Sequence, residues 1–206
     1  MDGIFSETEH KRIADAIREA ENRTTGEIVC VVARQCEPYA IIAMMWSALG
    51  GLLAGAVAVP FWSGLPVFCL PLLQVAVVAL LMLLLQITPL RMAMVPEAVK
   101  RRRAERLARA QFLEQGLHRT EGRTGILIFA AMAEHHVEIL ADEGIDAKVD
   151  PATWQTVVDG FTAQMKRGET IDAFVDAIGQ CGAPLAEHFP KTPGNANELP
   201  DRLVEI

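Results

Sequence analysis

Acidic residues that follow the third predicted strand are the first candidates for chemistry in this sequence. Asp142, Glu143, Asp146 and Asp150 fall within one short connection between a strand and a helix. Carboxylate oxygens on a flexible loop are the ligands that Ca²⁺ and Mg²⁺ prefer, although the spacing here is not that of an EF-hand. The four residues are therefore candidate ligands for Ca²⁺ or Mg²⁺. The alternative interpretation is that they lie at helix N-termini and complement the helix dipole.

A basic, hydroxyl-rich segment precedes the second predicted strand. It contains His118, Arg119, Thr120, Arg123 and Thr124. Guanidinium groups bind phosphate through charge-assisted hydrogen bonds, so a phosphate or an anionic headgroup is a candidate ligand. The alternative is that the arginines pair with Glu121 or with other carboxylates of the domain. The sequence contains no P-loop, no Rossmann glycine pattern and no Ser-His-Asp order.

A third group of titratable residues crowds a predicted hairpin turn. Glu134, His135, His136 and Glu138 have side chains that could serve a metal or acid/base site. Adjacent residues on a strand point to opposite faces, so we do not expect His135 and His136 to ligate one ion together. A solvated turn is the favoured interpretation.

The elements that position these residues surround a long uncharged block. From Tyr39 through Leu90 there is no Asp, Glu, Lys, Arg or His, and the segment PFWSGLP interrupts the block with two prolines and a glycine. A bilayer core about 30 Å thick needs about 20 apolar residues per helix. The block therefore predicts a transmembrane hairpin with spans near 40–59 and 67–88. Gly51 and Gly55 have the GxxxG spacing that brings helices close together.

Charges beside the block predict its orientation. Arginines and Lys100 are concentrated just after the second span, between Arg91 and Arg109. The positive-inside rule therefore predicts a two-pass protein of the inner (cytoplasmic) membrane, with both termini and the soluble domain in the cytoplasm. The N-terminus has no signal-peptide pattern, and the absence of charge within the spans argues against a pump or transporter.

The distribution of charge also predicts which kinds of partner the protein binds. The rest of the chain is acidic enough to give a net charge of -7. We therefore expect the basic run to face the lipid bilayer, and we expect no nucleic-acid partner, since such binding needs a basic domain surface. The four cysteines have neither CxxC nor zinc-ligand spacing and are expected to be reduced and mostly buried.

Flanking segments predict one small α/β domain. Periodicity and capping signals predict helices over 6–22, 96–116, from Pro151 to about Lys166, and over 169–188. The runs EIVCVVAR, TGILIFAAM and VEILAD predict strands. The order indicates a three-layer α/β/α sandwich. Residues 1–38 and 96–190 would form one discontinuous domain, residues 39–90 the inserted hairpin, and residues 191–206 an extended C-terminal tail.

These segments together resemble the TPM domain family. The resemblance is carried by GEIVCVVAR, by TGILIFAAMAEHHVEILADEGIDAKV, by a helix with a tryptophan, and by GETIDAFVDAIGQCGAPLAEHFP. It implies an α/β/α sandwich that is usually tethered to a membrane. Some family members are acid phosphatases, some bind divalent metal through acidic residues, and others are accessory proteins of membrane complexes. The family's usual Gly-x-Gly-Leu-Glu after the third strand appears here as DEGID, residues 142–146.

Two functional hypotheses follow. The first is a noncatalytic, membrane-anchored domain that binds another membrane protein or the bilayer, as an accessory or quality-control factor. The second is a divalent-metal-dependent phosphatase that acts near the membrane with Asp142, Glu143 and Asp146, and with Arg123 beside the phosphate. A hydrolase needs these carboxylates to converge on a cleft, whereas an interaction domain needs an exposed surface.

Overall fold

The computed structural model describes residues 3–61, 66, 68–193 and 197–206. The chain divides into two compact units. The first combines Met1–Cys36 with Arg101–Ile206, and the second comprises Glu37–Lys100. A segment inserted after the first strand thus forms a unit of its own, while the chain on both sides of it builds one domain.

The helices and strands predicted for the domain occur in the predicted order within the described residues, and two short helices and a fourth strand are additional. The helices are α1 (Glu7–Glu21), α2 (Ala40–Ala58), α3 (Cys69–Leu84), α4 (Thr88–Ala93), α5 (Glu97–Glu114), α6 (Glu143–Asp146), α7 (Pro151–Lys166) and α8 (Thr170–His188). The strands are β1 (Glu27–Ala33), β2 (Gly125–Ala131), β3 (His136–Ala141) and β4 (Leu203–Glu205), and short 3₁₀ turns cover Val59–Phe61 and Leu117–Arg119.

The sheet of the first unit has the order β3-β2-β1-β4 among the described residues. β1 runs parallel to β2 and to β4, and β2 and β3 form an antiparallel hairpin. β1 and β2 are both buried along their entire length, as continuously apolar strands covered on both faces should be. The N-terminal segment and the segment after the insertion therefore share one sheet.

Side chains alternate between two cores, one on each face of the sheet. One core lies between the sheet and α1, α7 and α8, and it contains Ile28, Cys30 and Val32 of β1. In it the rings of Phe161 and Phe174 pack edge to face, with their centroids 4.8 Å apart. Val29 and Val31 point the opposite way, toward Ala104, Ala108 and Leu117. Helices thus cover both faces, which makes a mixed α/β fold with three layers.

Helix ends follow their predicted signals. Ser6 caps α1 by accepting a hydrogen bond from the Glu9 backbone N–H, and the Glu9 side chain accepts one from the Ser6 backbone N–H. Asp150 caps α7 just before Pro151. Gly168, with φ of +81°, follows the end of α7 in the left-handed conformation that favours glycine.

The C-terminal tail supplies the fourth strand, which the sequence analysis did not predict. Leu203, buried to 4% exposure, pairs with Cys30 of β1. Upstream of β4, the buried Glu27 carboxylate accepts the Glu198 and Leu199 backbone N–H groups, each at 3.1 Å. Within β4, Glu205 accepts the Ile4 and Phe5 N–H groups. These carboxylates hold the tail together with the short ladder to β1.

The second unit contains α2 and α3, and α2 turns its small residues inward. Ser47, Gly51 and Gly55 are the buried residues of α2. A Cβ atom on Gly51 would lie 2.5 Å from Val78 Cγ2 and 3.3 Å from the Gln74 carbonyl oxygen. Apolar side chains such as Ile41, Leu52 and Leu83 are instead 78%, 66% and 68% exposed. Helix α2 thus buries small residues and exposes most of its large apolar ones.

Membrane-span criteria are met by one helix in the part of the chain that the structure describes. Ala40–Ala58 is long and apolar enough, whereas the apolar helix Cys69–Leu84 falls short of the usual length. The predicted second span, 67–88, is therefore not matched by a single helix of that length. Residues 62–65 and 67, which hold most of the predicted turn and the start of that span, lie outside the described residues.

Candidate functional site

Arg123 is positioned by a tight loop before β2. Gly122 and Arg123 both adopt positive φ angles, of 79° and 57°. The Thr120 hydroxyl donates to the Leu117 carbonyl and accepts the Thr124 N–H, which holds the turn closed. A non-glycine residue in the left-handed region needs such support from its surroundings. The loop therefore presents the guanidinium in one direction.

Asp142 lies opposite this loop at the end of β3. Its backbone N–H donates to the Gly125 carbonyl, and its Oδ1 accepts the Glu143 N–H at 2.9 Å. Gly144 packs so closely on the Gly122 and Arg123 carbonyls that a Cβ atom would collide with them. Glycine is thus required at 144, because it lets the acidic connection dock on the basic loop.

All three guanidinium nitrogens of Arg123 are already engaged. Nε lies 3.0 Å from Asp142 Oδ2, Nη1 donates to the His118 carbonyl at 2.7 Å, and Nη2 lies 3.5 Å from Glu143 Oε2. Asp142 Oδ2 is buried and the Nε–H is not aligned for a regular hydrogen bond, so its attraction to Arg123 is mainly ionic. The arginine and the aspartate form a clamp between two connections.

The remaining acidic candidates point to different places. Asp150 Oδ1 accepts the Ala152 N–H as the cap of α7, and the Glu143 side chain is 86% exposed. Burial, together with the nearby negative charge of Asp142, raises the pKa of Asp146. Among the described residues, no group of three or more His, Cys, Asp or Glu side chains is arranged to hold a metal ion. The geometry does not bring the four predicted ligands together.

Hydroxyl and imidazole groups of the basic segment are largely used internally. Thr124 Oγ1 donates toward the Thr25 and Glu121 carbonyls, and Arg119 Nε donates to His118 Nε2 at 3.3 Å. Arg119 itself is exposed. The segment is a structured turn in which Arg119 and Arg123 are exposed and make different contacts, so the predicted phosphate donors do not surround a common point.

The histidine turn is partly structural. Glu134 is buried and accepts the Cys36 N–H at 3.0 Å, which ties the turn to the segment after β1. His135 has a φ of 50° at the turn, and His136 Nε2 lies 3.4 Å from Glu138 Oε2 on the strand. The turn is therefore less solvated than the sequence analysis expected, since one of its four side chains is a buried acceptor.

A cluster of carboxyl groups near the C-terminal tail was missed from sequence. Glu21 is 6% exposed, and its Oε1 accepts the Ile28 N–H at 2.8 Å. Burial, reinforced by nearby Glu27 and Asp201 and by a hydrogen bond with Asp201, raises the pKa of Glu21 to about 8. The side chains come from a helix end, a strand start and the tail, so no local spacing could have indicated the cluster.

Comparison with known proteins identifies relatives of this domain. Residues 86–183 match the family model described as the TPM domain. The structure resembles the NMR structure of the BA42 protein from the psychrophilic bacterium Bizionia argentinensis, with a TM-score of 0.61 and 21% sequence identity, covering 100% of this chain and 98% of that chain. No protein with a curated description matches the sequence. The structural likeness shows a shared fold.

Proposed function

We propose that this chain, in which residues 86–183 match the TPM domain family model, is a membrane-anchored interaction domain without catalytic activity. It serves as an accessory or quality-control factor for membrane proteins. The helical insertion anchors it in the inner (cytoplasmic) membrane, and the sandwich, with both termini, faces the cytoplasm.

The observation that carries the noncatalytic part is the occupied guanidinium of Arg123. A phosphate could not take the Nε–H, or the Nη1–H that faces His118, without displacing Asp142 or the His118 carbonyl. Displacing Asp142 would leave a carboxylate that is 4% exposed without its positive partner, which costs several kcal/mol. The clamp thus favours a structural role for both residues.

Membrane anchoring is supported by the polarity of the second unit. Large apolar side chains on α2 and α3 are exposed, while the Ser47, Gly51 and Gly55 face is buried. Soluble helices bury the opposite face, whereas helices in lipid pack through small residues and present apolar ones to acyl chains. Lipid is the solvent that suits this surface.

A test of the anchor uses the full chain in bacterial membranes. We expect it to resist extraction by alkaline carbonate and to dissolve only in detergent. We expect a thiol reagent added to intact spheroplasts to label a Ser63→Cys variant, and an Arg103→Cys variant only after permeabilisation, against a common cysteine-free background. Release by carbonate, or labelling of the Arg103→Cys variant in intact spheroplasts, would contradict the anchor or its orientation.

A test of the noncatalytic role uses the detergent-solubilised chain. Titration calorimetry with Ca²⁺, Mg²⁺ and Mn²⁺, and hydrolysis of p-nitrophenyl phosphate with each ion, are measured for the wild type and for Asp142→Ala and Glu143→Ala. We expect neither saturable binding nor turnover that depends on these carboxylates. Binding and hydrolysis lost together in both variants would establish the metal-dependent phosphatase instead.

A further inference from the structure

The outer edge of β3 is open among the described residues. Asp142 N–H bonds to the Gly125 carbonyl, and Leu140 pairs with Leu127. Since hydrogen-bonded pairs alternate along antiparallel strands, residues 136, 138 and 140 direct their backbone groups toward β2. The N–H and C=O groups of Val137, Ile139 and Ala141 consequently point away from the sheet, where no further strand pairs with them.

This edge lacks the usual protection against strand pairing. Natural edge strands carry lysine, proline or a bulge that prevents another strand from adding. The β3 sequence HVEILA has no lysine or proline and pairs with β2 in unbroken register. Its charged residue, Glu138, is near His136 on the α5 face. An unprotected edge is expected where a partner strand binds.

A groove follows the edge. It has a volume of about 570 Å³, its floor is formed by residues 135–139, and its walls come from Arg101 and Glu105 of α5 and from Trp154, Gln155 and Val158 of α7. Trp154 is 7% exposed, and its Nε1–H is buried without a hydrogen-bond acceptor among the described residues. A buried donor without a partner is costly, so the wall has a place for an acceptor from a ligand.

A second, apolar hollow lies beside the other end of β3. It has a volume of about 270 Å³ and is lined by Arg109, Phe112, Leu113, Leu140 and Ala141. Leu113 is 59% exposed. Arg109 is exposed as well, and among the described residues no carboxylate forms an ion pair with it. The hollow would therefore take an apolar side chain with a negative charge next to it.

We propose that β3 is a docking edge for an extended segment of another protein that carries an apolar and an acidic side chain two residues apart. The inference rests on the proposed interaction function and names its surface. The segment adds a fifth strand by main-chain hydrogen bonds to Val137, Ile139 and Ala141. Successive side chains of the segment point to opposite faces, so the apolar side chain that enters the hollow beside Phe112 and the carboxylate that pairs with Arg109 lie two residues apart on the same face.

A single segment fits this edge better than a second copy of the chain. Walls from α5 and α7 stand on both sides of the groove. A second copy would bring its own helices along the same edge and against these walls, whereas an isolated strand lies between them. The charge of Arg109 further favours a segment that carries carboxylates.

The binding test uses the full chain in nanodiscs and a phage-displayed random dodecapeptide library. We expect enrichment of proline-free peptides in which an apolar residue and Asp or Glu lie two positions apart. Their affinity should fall by about tenfold or more in Arg109→Glu and in Leu113→Asp, since both remove complementarity at the hollow. Arg102→Glu, the matched charge reversal on an exposed arginine outside the hollow, should leave affinity unchanged. Ile139→Pro, which removes an outward N–H, should also abolish binding.

Opposite results would overturn the docking edge. One such result is that no peptide is enriched, and another is that peptide affinity does not change in Arg109→Glu and Leu113→Asp. A change in sedimentation caused by Leu113→Asp in the absence of peptide would indicate that a second copy of the chain occupies the edge. Equal loss of binding to phosphatidylglycerol vesicles in Arg109→Glu and Arg102→Glu, with no peptide selected, would indicate a lipid surface. The exposed positions 109 and 113 keep the test valid if Ile139→Pro does not fold.

Photo-crosslinking in cells separates this inference from the proposed function. p-Benzoylphenylalanine is introduced at Leu113 and Gln155 beside the groove, and at exposed Glu19 on α1 as the control. Crosslinks from the groove positions to another protein support the docking edge if an excess of the selected peptide prevents them. Crosslinks at Glu19 alone keep the interaction domain but reject this surface, and no crosslink at any position counts against both.

Discussion

Two buried carboxylates in this protein accept backbone N–H groups that join separate segments or begin a helix. Glu27 holds the tail at Glu198 and Leu199, and Asp142 starts α6 by accepting the Glu143 N–H. Each is nearly buried, where an unpaired N–H would cost about 1–3 kcal/mol. Acidic residues that look like metal ligands in the sequence are thus drawn into the architecture.

The raised pKa of Glu21 predicts a loss of stability at alkaline pH. Its pKa rises from an ordinary value of 4.5 to about 8 because the carboxyl is buried near Glu27 and Asp201. A group that binds its proton more tightly when folded stabilises fully below pH 4.5, and this contribution is lost as the pH rises through about 8. The two nearby cations are engaged by other groups than the Glu21 carboxyl. Arg18 pairs with Asp201, and Lys191 Nζ donates to the backbone carbonyl of Glu21.

Replacing the carboxyl by an amide tests this dependence. We expect Glu21→Gln to keep the acceptor for the Ile28 N–H and to be more stable than the wild type at pH 9, by about 1–3 kcal/mol. The measurement is urea unfolding of the sandwich from pH 5 to pH 9. Glu19→Gln on the exposed face of α1 is the control. Parallel pH profiles for Glu21→Gln and the wild type would contradict the raised pKa.

The ion pair between Arg123 and Asp142 predicts asymmetric costs. Arg123→Ala leaves a carboxylate that is 4% exposed, whereas Asp142→Ala leaves a guanidinium that is 44% exposed and reaches water. We expect a loss of about 2–4 kcal/mol for Arg123→Ala and about 1–2 kcal/mol for Asp142→Ala, part of which is the lost cap. The free energy of unfolding is measured for both singles and the double. Additive values would show that the two side chains are not coupled.

Among the elements, α2 and α3 depend on glycine for their contact. A side chain at Gly51 would meet Val78 and the Gln74 backbone, which cannot move aside without separating the helices. We expect Gly51→Leu to lower the thermal stability of the second unit in nanodiscs, whereas Ala56→Leu on the exposed side of the same helix should not. Fluorescence-detected size exclusion after heating measures both. Equal stability of the two variants would place the interface elsewhere.

Strand β4 is held by one buried side chain as well as by carboxylates. Leu203 is 4% exposed and packs in the core that contains Ile28 and Cys30. Leu203→Ala should cost about 2–3 kcal/mol, since it opens a cavity where the chain has little freedom to collapse. Ile206→Ala, at a residue 43% exposed, should cost less than about 0.5 kcal/mol. The urea unfolding midpoints of the two variants are measured. Equal midpoints would mean that the tail is not docked on the sheet in solution.

At the scale of the whole molecule, an acidic domain carries a basic segment next to its apolar insertion. The chain has a formal charge of -7, yet arginines dominate the exposed surface of α5. Under the proposed membrane anchoring, we expect the triple variant Arg101→Glu, Arg102→Glu and Arg103→Glu to lose the proposed orientation, because Lys and Arg near a span set topology. Protease protection in spheroplasts measures this. Lys11→Glu with Arg12→Glu, on α1, is the control and should be without effect.

Local patterns in the sequence were sufficient for most elements of the domain. β-branched runs predicted β1 and β2, and the capping box of Ser6 and Glu9 predicted the start of α1. These signals are reliable because they act within one turn or one strand. The TPM resemblance followed from the order of such elements, and the family match over residues 86–183 confirms it.

The sequence by itself determined most elements of the domain, the resemblance to the TPM domain family and the uncharged character of the insertion, since each depends on residues that are neighbours along the chain. Only the tertiary structure decided that the tail supplies β4, that the Glu21 carboxyl lies beside Asp201, and that Arg123 forms ion pairs with Asp142 and Glu143. These contacts join residues far apart in sequence. Their energies depend on burial and alignment, which no spacing of residue types encodes.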